Sequence, residues 1–309
     1  MSVPGSARSQ PRHDDLPTVR HAAPRLVTVV IPVLNGATTI GAQFDALSRQ
    51  TYSGDWEIVV ADNGSTDATA TICAEWAPRF ADLRVVDASD RSGPSHARNV
   101  GACAARGDLL AFCDADDVVN DRWLEALVAV ALDHDLVGGL LRADELNDRR
   151  VQASRGSRSR TTLGQSLSFL QFAPSGNLAV WRATFETIGG LDTTYRQGED
   201  VEFSWRAQLG GYRLGTASGA VVQYRYRSSM KSTARQAFGT GVASVRLFRS
   251  FRASGAQRPA PRVVARRWLA MLARLPLLAL PSQRLTSIRL LSGNLGKLVA
   301  SVRYRVVFL

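Results

Sequence analysis

The sequence predicts an α/β protein with a mostly parallel central sheet between helical layers, and three observations carry that expectation. Apolar, β-branched runs alternate with helical spacings at ~30 residues per unit, the rhythm of βαβ construction. The early runs are apolar on both faces, as strands covered by helices on each side must be. They also end in polar clusters, at the edge where open α/β sheets bind their ligands.

Taken in order, residues 26–33 (LVTVVIPV) read as a buried strand bounded by Pro24 and by Asn35-Gly36. Residues 38–50 carry Ile40, Phe44 and Leu47 at helical spacing. Residues 56–61 (WEIVVA) form the next strand, ending in Asp62-Asn63-Gly64-Ser65-Thr66-Asp67, a turn with ready N-caps for a helix to about Trp76. Leu83–Asp87 is a third strand, 94–105 a helix, and Leu109–Cys113 a fourth strand followed by a helix over 122–133. Leu136–Arg142 adds a strand. Residues 147–160, polar and rich in Arg and Ser, read as a mobile loop. Strand character resumes at Asn177–Trp181 and helical character at 201–209.

The fourth strand is the chemical centre. In DLLAFCDADD an apolar run stops abruptly at Asp114, Asp116 and Asp117. Carboxylates this close raise one another's pKa unless a cation sits among them. Oxygen-only ligands select a hard divalent ion, Mg²⁺ or Mn²⁺, which commonly bridges to substrate phosphates. A helix start reads from the same residues, since Asp-rich turns cap helices. With Asn35 and Asp62-Asn63 ending neighbouring strands, these groups converge on one edge. Asp62 suits the N3–H of a uracil or thymine ring, Asp114 the ribose hydroxyls, and Asp116 a metal held on a diphosphate. Arg98, near the start of a helix, offers a charged fork to a base carbonyl or a phosphate. Each has a plainer reading: Asp62 as a turn residue, Arg98 as a solvated helix charge, His96 as structural.

Composition narrows the partners. The chain has 309 residues and a net charge of +11, yet from Arg225 onward there are seventeen Lys or Arg and no Asp or Glu, which leaves −6 on the preceding part. An acidic body followed by a basic tail suggests a polyanionic surface. Three scattered cysteines, Cys73, Cys103 and Cys113, fit reduced thiols and argue against a disulfide scaffold or zinc knuckle. Residues 1–25 read as a disordered lead-in without a signal core. The fourteen-residue apolar run at 268–281, broken by Arg274 and Pro276, is too short for a spanning helix of about twenty residues. Leu285, Ile288, Leu295, Leu298 or Val299, and Val302 fall near one helical face flanked by Arg284, Arg289, Lys297 and Arg303. Such a helix lies in a headgroup plane or packs back on the body. Nucleic acid is not expected, because no recognised binding motif is present. Residues 232–251 read as a further helix over the acceptor cleft.

The motifs VTVVIPVLNG, EIVVADNGSTD, SGPSHARNVGA, FCDADD and GGLDTTYRQGEDVEFSWRAQLGGY together resemble family 2 glycosyltransferases, over roughly residues 25–219. The resemblance implies a GT-A fold, a three-layer sandwich over 26–225, with 226–309 as a basic, largely helical extension. It implies a nucleotide-sugar donor, first a UDP-sugar, a divalent cation and inversion at the anomeric carbon. By matching motif, Pro32, Val33 and Asn35 line the nucleotide pocket, and Asp62, with Asn63 beside it, reads the base. Arg98 and Asn99 face the donor, while Asp114, Ala115 and Asp116 form the DxD. Asp200 of Gly198-Glu199-Asp200 becomes the catalytic base, with Glu199 as the other candidate and a helix N-cap as the plain reading. An inverting displacement needs such a carboxylate opposite the leaving diphosphate.

Two departures stand out. The histidine that some relatives place as a further metal ligand is missing, since the region reads Val222-Gln223-Tyr224-Arg225-Tyr226. The QxxRW motif of processive synthases is missing too, with Arg235-Gln236-Ala237-Phe238-Gly239 in its place, which favours addition of one or few sugars. The expectation is an enzyme at the inner face of the plasma membrane, acting on a glycan or lipid-linked envelope precursor. A nucleotidyltransferase of similar fold and an inactive membrane-surface adaptor remain the alternatives. The first lacks its Gly-rich phosphate loop at Val33-Leu34-Asn35-Gly36, and the second is disfavoured by intact Asp114, Asp116 and Asp200.

Overall fold

Strand β1 (Val27–Val33) is buried along its whole length, as its unbroken β-branched run requires. The computed structural model describes residues 20–155 and 161–308. After β1 come α1 (Ile40–Ser48), β2 (Trp56–Asp62), α2 (Thr69–Trp76), β3 (Leu83–Asp87), α3 (Pro94–Ala104) and β4 (Leu109–Cys113). These four strands pair in parallel in the order β3-β2-β1-β4.

Beyond β4 the chain forms β5 (Val118–Val119), α4 (Trp123–Ala131), β6 (Leu136–Arg142) and α5 (Arg149–Arg155). A small hairpin of β7 (Gly164–Gln165) and β8 (Gln171–Phe172) precedes β9 (Asn177–Trp181), α6 (Arg182–Ile188), α7 (Glu199–Leu209) and β10 (Leu214–Gln223). The sheet continues β4-β9-β6-β10-β5, with β9 antiparallel to both neighbours and β5 antiparallel to β10. The basic extension folds as α8 (Met230–Phe251), α9 (Pro261–Leu272) and α10 (Arg284–Arg303).

The three layers follow from strand periodicity. Alternate residues point to opposite faces, so Val29 and Ile31 of β1 with Leu109 and Ala111 of β4 join Phe44, Leu47 and Trp123 on one side. Val30, Leu110 and Phe112 join Phe185, Phe203 and Leu178 on the other. Each fully buried large side chain contributes about 1.5–3 kcal/mol. Helix α3 approaches the sheet closely at Gly101, where a Cβ would stand 2.5 Å from Val30 Cγ1. At the far end of β2, buried Glu57 accepts hydrogen bonds from Thr28 and Arg84 and pairs with Arg106, which hold its carboxyl down at about 2.

The predicted strands and helices of the first 142 residues match the observed ones closely. The short β5, the β7–β8 hairpin and α6 have no counterpart in the expected elements, and three further regions differ. Residues 1–19 of the expected lead-in lie outside the described residues, but His21 within it stacks on Trp181 and donates its backbone N–H to Leu132. Part of the loop expected over 147–160 is helical, because Asp148 caps the N–H of Val151 and starts α5; residues 156–160 lie outside the described residues. Strand β10 has no counterpart in the sequence reading, since LGTASGAVVQ is small and polar and its register shifts between Ala217 and Val221.

Candidate active site

The acidic stretch sits where β4 ends. Asp117 donates its backbone N–H to the Asp114 carbonyl 3.4 Å away, closing a tight turn. Buried Gln43 of α1 braces that turn, donating to the Asp114 carbonyl at 3.3 Å and accepting from the Val119 N–H at 3.0 Å. Asp114, Asp116 and Asp117 then offer carboxylate oxygens within 4.8 Å of one another. Burial and the Asp114 charge raise the pKa of Asp116, and Asp117 is raised well above its ordinary value by burial and both neighbours. Buried Asp117 also carries an Oδ2 without a hydrogen-bond partner. Crowded, oxygen-only and electrostatically frustrated, this set fits a hard divalent cation.

A second acidic motif faces the first. Gly198 adopts a left-handed φ of 78°, which turns the chain into α7 and starts that helix with Glu199 and Asp200. Arg98, buried in α3, bridges the two motifs: its Nη2 lies 2.5 Å from Asp114 Oδ1 and its Nη1 3.5 Å from Glu199 Oε1. Glu199 also accepts a hydrogen bond from Ser175 at 3.2 Å. Asp200, half-buried, accepts the Val201 N–H, yet burial and the Glu199 charge push its pKa up to about 7. So Glu199 is held in an ion pair, and Asp200 is poised to exchange a proton near neutrality.

The nucleotide-side candidates lie on the same sheet edge. Pro32 and Val33 are buried at the end of β1, with Val33 in register with Asp62. Asn35, at a φ of 53°, receives the Thr66 N–H on its side chain and donates its own N–H to Ser65, joining the loops after β1 and β2. Asp62 holds the same turn by accepting the Ser65 N–H. Ala115 is buried between the two aspartates of the DxD and joins the core beneath them.

Two of the expected donor-side residues, Asn63 and Asn99, make hydrogen bonds within the fold. Asn63 spends its amide on the Ala88 and Arg91 carbonyls and the Gly93 N–H, shaping the approach to α3. Asn99 donates to the Leu191 carbonyl and accepts the Leu191 N–H, tying α3 to the segment before Gly198. Neither amide faces the acidic cluster through these bonds.

The structure adds residues that the sequence reading did not single out. Arg225 donates its backbone N–H to Asp117 at 2.8 Å and its Nε to the Asp116 carbonyl at 2.9 Å, while Arg227 Nη1 lies 3.4 Å from Asp116 Oδ2. Two arginines thus flank the acidic turn, and Gln223 is buried with its Oε1 unpartnered. Their only sequence signal is the Tyr224-Arg225-Tyr226-Arg227 alternation, which by itself points to no ligand.

Comparison with known proteins decides the class. The model of glycosyl transferase family 2 matches residues 28–188, from β1 through α6. The chain belongs to that family. Glycosyltransferase AglE of Haloferax volcanii is 31% identical over 61% of this chain and 63% of its own length. The pre-mycofactocin glycosyltransferase of Mycobacterium tuberculosis is 29% identical over 74% of this chain and 50% of its own. The chain therefore spans between half and two thirds of these relatives. Among solved structures, the mannosyltransferase PcManGT of Pyrobaculum calidifontis, in complex with GDP-Man and Mn²⁺, superimposes with a TM-score of 0.62 at 23% identity, covering 92% of this chain and 90% of that one. This family 2 chain therefore has the GT-A fold, to which its own C-terminal helices α8 to α10 are added.

Proposed function

We propose that this family 2 chain is an inverting glycosyltransferase that moves a sugar from a nucleotide-diphosphate donor, first of all a UDP-sugar, to an acceptor hydroxyl. The observation that carries the reading is the bridge by Arg98 between the DxD turn and the Glu199-Asp200 helix start, which sets two acidic motifs across one charged centre. In this reading Asp62 meets the base, Pro32, Val33 and Asn35 border it, and Asp114 takes the ribose.

Asp116 and Asp114, with Asp117 behind them, would hold Mn²⁺ or Mg²⁺, which when bound neutralises the charge growing on the departing diphosphate. Asp200 takes the acceptor's hydroxyl proton. The acceptor oxygen forms its bond to the anomeric carbon from the face opposite the diphosphate, and the breaking C–O pair leaves with the phosphate. Glu199, paired with Arg98 and Ser175, is a positioning group that keeps Asp200 partly protonated at rest. Arg227 pairs with Asp116 in the absence of a cation, and once displaced by one its guanidinium would be free to pair with the diphosphate. The acceptor is a glycan or lipid-linked precursor of the cell envelope, met at the cytoplasmic face of the membrane.

The test is a panel of UDP-, GDP- and dTDP-sugars screened for thermal stabilisation with and without Mn²⁺, followed by product analysis with the binding donor. Metal-dependent stabilisation by one class, of about 3 kcal/mol at a hundred times Kd, is expected. Stabilisation by free nucleoside triphosphates alone, with pyrophosphate release, favours the nucleotidyltransferase reading instead.

A further inference from the structure

The helical extension leaves apolar surface uncovered in a way the glycosyltransferase body does not. Helix α9 has no buried residue at all. Leu269 is 66% exposed and Leu272 55%, and Leu275 and Leu280 in the following turn are exposed as well. On α10 the predicted stripe splits. Leu285 is buried, whereas Leu295, Leu298, Val299 and Val302 stand in solvent, the last 73% exposed. Spaced by three, four and seven residues, those four share one face of the helix.

The reason is that α10 packs by its small residues. A Cβ at Gly241 of α8 would stand 2.1 Å from the Gly293 carbonyl oxygen, and one at Gly296 would stand 2.1 Å from that of Phe238. Backbones this close turn the larger side chains of α10 outward. The charges around them are of one sign. Arg262, Arg266, Arg267, Arg284, Arg303 and Arg305 are exposed, and no Asp or Glu occurs from Arg225 to the end of the chain.

We infer that the face formed by α9, the turn after it and the outward side of α10 docks on an anionic lipid surface. Exposed leucines and valines enter the acyl boundary while the arginines meet the lipid phosphates, the pattern of an interfacial rather than a spanning helix. No helix among the described residues is long and apolar enough to cross a membrane. Charge complementarity selects the partner. A second copy would bring the same one-signed charge to the interface, whereas an anionic leaflet neutralises it.

Docking also bears on the site. Helix α8 lies between α10 and the second acidic motif, where a Cβ at Gly198 would stand 3.1 Å from that of Ala243, and Thr240 donates to Gln197. The lipid surface is thereby fixed relative to Asp200, which suits an acceptor presented from the membrane, a consequence that rests on the function proposed above.

The test is co-sedimentation of the full chain with vesicles of phosphatidylcholine alone or mixed with phosphatidylglycerol. Binding to the anionic vesicles is expected, with loss when salt rises from ~0.1 M to ~1 M and the Debye length falls from about 10 Å to about 3 Å. Leu269→Glu with Leu272→Glu, and separately Arg266→Glu with Arg267→Glu, should each weaken it by roughly ten-fold or more. The arginine pair, at exposed positions, settles the matter should the leucine pair misfold by circular dichroism. Equal binding to neutral vesicles, unchanged binding of both variants, or a dimer by light scattering that the leucine variant dissociates would each overturn the inference. Donor-induced thermal stabilisation, measured in the same samples, is expected to persist in both variants. Its absence in the unmodified chain would count against the transferase reading and not against docking.

Discussion

Arg98 Nη2 lies 2.5 Å from Asp114 Oδ1, in a pair whose arginine side chain is only 4% exposed. The same guanidinium reaches Glu199, so one cation organises both acidic motifs. Replacing it leaves buried carboxylates facing one another without compensation. Arg98→Gln is expected to destabilise the fold by about 2–4 kcal/mol. Arg98→Lys should recover only part of this, because an ammonium cannot fork to both partners. Urea denaturation at neutral pH measures both, and a cost below about 0.5 kcal/mol for Arg98→Gln would show that the bridge is not maintained in solution.

Asp200 is raised to about 7 by burial and by Glu199. A base must be unprotonated, so kcat/KM should rise with pH through an acidic limb near 7 and then level off. Asp200→Asn should lower kcat by about 10²–10⁴-fold while donor affinity is retained. The stability sign is opposite to that of an ordinary surface carboxylate. The folded state keeps a proton that the unfolded state loses near pH 4, so stability falls as pH rises towards 7. Asp200→Asn should therefore be the more stable protein at pH 8, by about 2 kcal/mol. A thermal melt series across pH checks it.

Glu57 gives the contrasting case. Its pKa is held down to about 2 by Arg84, Arg106 and Thr28, although burial alone would raise it. The stability it provides is complete above the ordinary glutamate range and fades as pH falls towards 2. Glu57→Gln should cost about 2 kcal/mol at pH 7 and progressively less below pH ~4. Donor binding, at the opposite end of the strands, should not change.

Arg227 pairs with Asp116 at 3.4 Å, on a side chain that is 58% exposed. An exposed pair of this kind is worth under about 1 kcal/mol. If it competes with the cation for Asp116, Arg227→Gln should tighten Mn²⁺ in the absence of nucleotide, by no more than about five-fold. Paramagnetic relaxation of water protons reads this directly, and weaker Mn²⁺ binding in the variant would mean that Arg227 supports the metal site instead.

Much of this was legible from residues alone, for physical reasons. β1, β2 and β4 are buried on both faces, so composition marks them, and polar residues at their ends must converge once the strands are parallel. The positions of Asp62, Asp114 and Asp116 follow from that logic. β10 was not legible because its strand is small and interrupted by a register shift. Arg225 and Arg227 reach the acidic turn only because β10 runs beside β6 and meets β5, a pairing between distant segments that no local pattern encodes. Asn63 and Asn99 have a second task that their motif positions do not announce: their amides bond to nearby backbone groups and shape the loops around α3. On α10, spacing placed Leu285 with Leu295, Leu298, Val299 and Val302, yet Leu285 is buried and the others stand outward, because the glycines that decide which side faces α8 carry no hydrophobic signal.

The central claim is that the acidic turn binds the donor through a cation while Asp200 acts on the acceptor. Calorimetric titration of the binding nucleotide sugar in Mn²⁺, into wild type, Asp116→Asn and Asp200→Asn, tests it most directly. Donor affinity is expected to be lost in Asp116→Asn and kept in Asp200→Asn, with transfer falling by at least about 10²-fold in both. Equal donor affinity in wild type and Asp116→Asn would contradict it.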